Sequence, residues 1–198
     1  MTRTRSFDEE ALLDAAIDLF WVEGYRGASL SVLSRSSGVA NGSIYQAYGS
    51  KRDLFLLAFR RYCARRVAIV DQVITERTHP SVEDIARALL STIVDDCASH
   101  ADRRGCLMLN MMGELGTDAD VARIGLETIE AMEAAVSNAL RASTAREVSD
   151  SEISASAATL VGLAQTLIQL HRLGRDTADL QPIVELAAVA AGGHLRAA

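Results

Sequence analysis

GVANGSIYQAYGSKRDL, residues 38–54, gathers Asn41, Gly42, Ser43, Tyr45, Gln46, Tyr48 and Lys51 within eleven residues, with Gly38 before them and Gly49 among them. An ordinary amphipathic helix does not present its surface this way. Small side chains, hydroxyls, an amide and an ammonium crowded together call for something outside the chain to touch. The residues around them supply the geometry. A short helix is expected from about Ser29, with Leu30 and Leu33 on its inner side and Ser36, Ser37 and Gly38 ending it. A second runs from about Asn41 to Tyr48 and stops at Gly49. Two short helices joined by a tight glycine-containing turn and packed on a preceding helix form a helix-turn-helix, whose second helix enters the major groove.

The side chains suit that task. Gly38 accommodates the positive φ of the turn, where a Cβ would be strained. Ile44 is expected to point inward, and Asn41, Ser43 and Gln46 outward, on a helix made slim by Gly42. Ser and Asn bond bases or phosphates, and Gln can bind an adenine edge with two hydrogen bonds. Tyr45 and Tyr48 carry hydroxyls on rigid rings and read as phosphate contacts. Lys51, the only lysine in the sequence, opens the following helix, where its ammonium and the helix N-terminus attract the same anion.

Outward from this stretch the pattern is helical throughout. Leu12, Ala15, Ala16, Leu19 and Phe20 make one apolar stripe, with a capping box expected at Ser6 and Glu9 and a break between Gly24 and Gly27. Ser50 with Asp53 opens a long helix running into the seventies. Thr78, His79, Pro80 and Ser81 mark the boundary between head and body. Further helices are expected at about 82–99, 103–115, 118–142, 152–173 and 179–195, with Asp118 and Asp120 read as capping residues rather than a metal pair. The fold class is all-α, organised as a head at 1–50, a linking helix at about 51–77 and a body at 78–198.

Composition narrows the function. The net charge of −6 conceals an imbalance: residues 1–66 hold ten Lys/Arg against seven Asp/Glu, and residues 67–198 hold ten against nineteen. A basic-leaning head on an acidic body points to an anionic partner met by the head. Cys63, Cys97 and Cys106 fit neither a zinc knuckle nor a redox pair, which suits a reduced, cytoplasmic protein. The polar start, MTRTRSFDEE, does not read as a secretory signal. Ile153–Leu170 is uncharged over 18 residues but contains Ser154, Ser156, Thr159, Gln165, Thr166 and Gln169, so it reads as a helix buried in protein rather than a membrane span. His79, His100, His171 and His194 lack metal-ligand spacing, and there is no phosphate loop or nucleophile motif. No enzyme, metal site or cofactor is expected.

The run Gly38 to Leu54, taken with Gly24-Tyr25, Ser29 and the Ala15–Phe20 stripe, closely resembles the DNA-binding signature of the TetR family of bacterial one-component regulators, over roughly residues 8–60. The resemblance implies an all-α homodimer with an N-terminal three-helix DNA-binding domain and a larger ligand-binding and dimerisation domain. It also implies a repressor released from a palindromic double-stranded DNA operator by a small molecule. On matching positions it implies phosphate contacts from Ser29, Tyr45, Tyr48 and Lys51, and groove-facing Asn41, Ser43 and Gln46, with Gly42 counted among the DNA-binding residues. Asn41 stands where many relatives have a basic residue or proline, so the operator sequence does not carry over.

In the body, Arg104-Gly-Cys-Leu-Met-Leu-Asn-Met-Met-Gly-Glu-Leu resembles a Gly-Cys-Leu…Asn…Glu-Leu segment in one branch of that family, some members of which sense electrophiles or oxidants. Cys106 reads first as a small buried apolar residue; near a helix N-terminus beside Arg103 and Arg104, it is also chemically suited to the alternative role of a redox or electrophile sensor. Met108, Met111, Met112 and Met132 fit either a core or an adaptable cavity, whose polar wall would draw on His100, Asn110, Glu114 and Gln165. The small residues Ala155, Ala158, Gly162, Ala187, Ala190 and Ala191, with Leu160, Leu163, Leu167, Ile183 and Leu186, read as a dimer face spanning about 153–195.

Overall fold

The computed structural model describes residues 7–75, 81–144 and 148–197. Among the described residues every regular element is a helix, nine in all, and no strand occurs. The chain divides into two compact units, Met1–Ala64 with Cys106–Gly125, and Arg65–Gly105 with Leu126–Ala198.

In the first unit, α1 (Glu9–Gly27) opens at Asp8, whose carboxylate accepts from the N–H groups of Glu10 (2.9 Å) and Ala11 (3.1 Å). The cap expected at Ser6 lies outside the described residues. Leu12, Ala16, Leu19 and Phe20 are buried as their spacing predicts, joined by Ile17. Helix α2 (Leu30–Ser37) starts at Ser29, whose hydroxyl accepts from the Ser31 N–H (3.3 Å). It ends at Gly38 with φ 72° and ψ 1°, the left-handed conformation the turn requires. Helix α3 (Asn41–Tyr48) follows, then α4 (Lys51–Thr75). The Ser50 hydroxyl accepts from the Asp53 N–H (3.0 Å) and donates to its carboxylate (2.6 Å), the cap expected there. Phe20, Phe55 and Phe59 fill the centre of the unit, with centroids 5.1 and 5.5 Å apart. Burying each such ring contributes roughly 1.5–3 kcal/mol.

This unit also takes in α6 (Leu107–Leu115), which packs on α1, and the first turns of α7 (Ala119–Ser143). Helix α6 begins at Leu107 rather than at 103, because Arg103 (φ 50°) and Gly105 (φ 71°) hold the chain in the left-handed region. The α7 start is capped by Asp118, which accepts from the N–H groups of Asp120 (3.0 Å) and Val121 (3.3 Å).

In the second unit, α5 (Val82–Ala98) packs along α9 (Thr177–Ala197) and against α8 (Asp150–Arg172). Ile85, Leu89, Leu90 and Ile93 of α5 meet a core that includes Leu160 and Leu167 of α8 and Leu180, Val184 and Ala188 of α9. Ser149 and Glu152 form a capping box, so α8 opens at Asp150. The Arg66 guanidinium, 8% exposed, keeps its charge beside Asp96 (2.9 Å). Arg87 reaches Glu83 (2.7 Å) and Glu185 (3.0 Å), tying α5 to α9.

Among the described helices, α8 alone is long and apolar enough to cross a bilayer. Its Ile153, Ala157, Leu160, Ala164 and Leu167 are nonetheless buried within the unit. That corrects one expectation. Leu160 and Leu167, read as part of a partner-facing row, belong to the chain's own core at 3% and 0% exposure. The outward row consists of Ala155, Ala158 and Gly162 on α8 and Leu186, Val189 and Ala190 on α9.

Candidate nucleic-acid interface

Helix α3 is anchored by Ile44, fully buried, and by Tyr48. Those two residues lie four apart on one helical face. Gly42, Tyr45 and Gln46 are exposed on the remaining surface and Ser43 is half-buried there, while Asn41 is exposed at the first turn. Tyr48 therefore departs from its expected role. At 9% exposure it is an inner-face residue, and Tyr45 carries the exposed aromatic hydroxyl of this helix. Ala40 starts α3 with no side-chain cap, so the positive end of the helix dipole emerges beside exposed Asn41 and Gly42.

Gly42 has no internal reason to be glycine. Its φ is not positive, and a Cβ built there meets nothing within 4 Å. A glycine in a helix costs about 0.5–1 kcal/mol relative to alanine. An open position that retains glycine fits a close approach by something outside the chain.

Lys51 is half-buried at the start of α4, and its Nζ lies 4.7 Å from the centroid of the Tyr25 ring. Its neighbour Arg52 is committed elsewhere, to Asp120 (2.8 Å) and Asp118 (3.1 Å). Hydrogen bonds from Arg52 hold both carboxyls below the usual range, aided for Asp118 by backbone N–H groups and for Asp120 by Arg123. Ser29, expected at a phosphate, shares its hydroxyl with Ser31 Oγ (2.7 Å) at the start of α2.

The residues expected around a ligand fall in both units. Cys106, Met108, Asn110, Met111, Met112 and Glu114 belong to the first, and His100, Met132 and Gln165 to the second. Met108 and Met111 are buried, whereas Asn110 and Met112 are half-buried. His100 Nδ1 lies 3.0 Å from the Asp96 carbonyl and 2.9 Å from Ser99 Oγ. Met132 and Gln165 are half-buried. Cys106, 6% exposed, receives a hydrogen bond from the Tyr62 hydroxyl (3.4 Å), which itself accepts from the Leu107 N–H (3.3 Å). The arginines next to it in sequence pair elsewhere, Arg103 with Asp176 and Arg104 with Asp102.

Glu114, expected in a cavity wall, is turned to α1. Its two carboxylate oxygens accept from the N–H groups of Tyr25 (2.9 Å) and Arg26 (2.8 Å). No local pattern announces this bond, because its partners lie 89 and 88 residues away.

The model of bacterial regulatory proteins of the tetR family matches residues 12–58, which span α1 to the early part of α4. The HTH-type transcriptional regulator YezE of Bacillus subtilis (strain 168) is 30% identical over 185 residues, covering 91% of this chain and 92% of YezE. The HTH-type transcriptional repressor ComR of Escherichia coli (strain K12) is 32% identical over 122 residues, or 61% of this chain and 57% of ComR. Among solved structures, a cysteine mutant of the TetR family transcriptional regulator CifR complexed with 26-bp double-strand operator DNA is 27% identical. It superposes with a TM-score of 0.73 over 95% of this chain and 98% of its own. The helix-turn-helix geometry and these relatives agree: the chain is a DNA-binding transcriptional regulator and belongs to the tetR family.

Proposed function

We propose that the protein is a cytoplasmic repressor that binds a palindromic operator as a homodimer and leaves it when a small molecule binds. The observation that carries the reading is α3, anchored by Ile44 and presenting Asn41, Gly42, Tyr45 and Gln46 outward from an uncapped helix start. ComR is a repressor by name, and CifR was solved on operator DNA. Tyr45 and Lys51 serve as phosphate contacts, Asn41, Ser43 and Gln46 read bases, and Gly42 permits the backbone to approach. Self-association uses the outward row of α8 and α9. The effector is held without a covalent bond, since the Cys106 thiol is buried and hydrogen-bonded to Tyr62.

Selection of bound sequences from a random DNA pool tests this reading. It should return a palindrome whose half-site centres lie about 34–36 Å apart, one helical turn. Lys51→Ala should weaken binding to selected and random DNA alike and reduce the salt slope by about 1. Gln46→Ala should change the selected sequence and leave that slope in place. Equal losses on both DNAs from both variants would refute the division of roles.

A further inference from the structure

We propose that Glu114 is a positioning residue for DNA binding: from α6 it fixes the α1 kink that carries the Tyr25 ring beneath the Lys51 ammonium. The proposal rests on the reading of Lys51 as a phosphate contact. At Gly24 the chain leaves the helical region, with φ 70° and ψ 170°. The next two N–H groups, of Tyr25 and Arg26, are taken by the Glu114 carboxylate. A carboxylate on the first N–H groups of a restarted helical turn is favoured by hydrogen bonding and by the local dipole.

Gly24 is matched to this bond in two ways. Its positive φ is one that side chains rarely adopt, and a Cβ there would stand 2.8 Å from Glu114 Oε2. With its backbone N–H held, Tyr25 places its ring 4.9 Å from Phe55 and 6.2 Å from Phe20. The face of that ring carries Lys51 Nζ at 4.7 Å. A long, flexible ammonium thus gains a fixed resting place at the start of α4. Glu114 acts through Tyr25 and then Lys51, two residues removed from the DNA.

The sole lysine provides a direct readout. Protein labelled with ¹³C at lysine Cε gives one side-chain signal. In the wild type that signal should be shifted upfield by the Tyr25 ring. Glu114→Gln, which keeps the shape but opposes an amide NH₂ to one of the two N–H groups, should move it toward the free-lysine position. Operator affinity should fall about two- to fivefold, the worth of an exposed cation–π contact. Because the same ammonium is involved, Glu114→Gln should add little to the loss caused by Lys51→Ala. If Glu114→Gln fails to fold, Tyr25→Leu, which leaves both backbone N–H groups in place, should reproduce the signal change and the affinity loss. An unshifted lysine signal in either folded variant, or losses that add in full, would overturn the positioning role. If Lys51→Ala leaves the salt slope unchanged, the phosphate reading of Lys51 fails instead, whatever the signal does.

Discussion

Helix α3 and helix α8 solve opposite problems with similar resources. Both are anchored by an apolar inner face, Ile44 and Tyr48 in one, Leu160 and Leu167 in the other. The outer face of α3 is made of side chains with distinct chemistry, a phenol at Tyr45, an amide at Gln46 and bare backbone at Gly42. The outer face of α8 is made of Ala155, Ala158, Gly162 and other small residues, which differ mainly in volume. A reader of DNA needs identity at each position, whereas a face that meets another helix needs closeness along a row.

The largest effect that sharpens this comparison comes from placing a charge on each side of the second unit. Leu167→Arg puts an uncompensated guanidinium at a position with no exposure, at a cost of several kcal/mol. Circular dichroism should show loss of cooperative folding. Leu186→Arg lies on the outward row at 73% exposure and should keep a cooperative unfolding transition, at a somewhat lower temperature, while sedimentation shows monomers. A dimeric Leu186→Arg protein would move the partner face elsewhere.

Gly42→Ala tests the outer face of α3 at a smaller scale. Free protein should gain about 0.5–1 kcal/mol in chemical denaturation, because alanine favours helix and the space is open. Operator binding should weaken. A variant that is both more stable and equally tight would leave Gly42 without a role at the interface.

The smallest effect concerns His171 in α8, 7% exposed. Burial, and then the nearby Arg103, push its pKa below the usual value against an opposing pull from Asp176. The folded state thus favours neutral imidazole, and the unfolded chain takes up the proton first as pH falls. The contribution to stability is full above the unfolded value of about 6.5 and is lost as pH falls toward the lower folded value. Wild-type melting temperature should drop on acidification from about pH 7.5 to about 5.5, and His171→Gln should flatten that dependence.

What the sequence disclosed follows the range of the interactions. The α2–turn–α3 arrangement was legible because Ser29, Gly38, Ile44 and Gly49 act on backbone within a few residues of themselves. The caps at Ser50 and Asp118 were legible for the same reason. Tyr48 was misplaced because its hydroxyl suggested phosphate. Its spacing of four from Ile44 already assigned it to the inner face. Leu160 and Leu167 were misplaced because an uncharged helix has two apolar sides, and composition does not say which one meets the chain's own core. The bonds from Glu114 to α1, from Arg52 to Asp118 and from Tyr62 to Cys106 span 89, 66 and 44 residues. No short-range pattern encodes such pairs.

Lys51 is the only lysine in the 198 residues, and its ammonium stands on the Tyr25 ring at the start of α4. An amine-directed acylating reagent therefore has one side-chain target in the whole chain, and on the proposed reading that target meets a DNA phosphate. Acylation would abolish its positive charge and add bulk at the same point. Bound operator would shield the amine, so the rate at which the acyl group appears on the peptide containing Lys51, counted apart from the N-terminal amine, would report occupancy of the DNA site without a label on either partner.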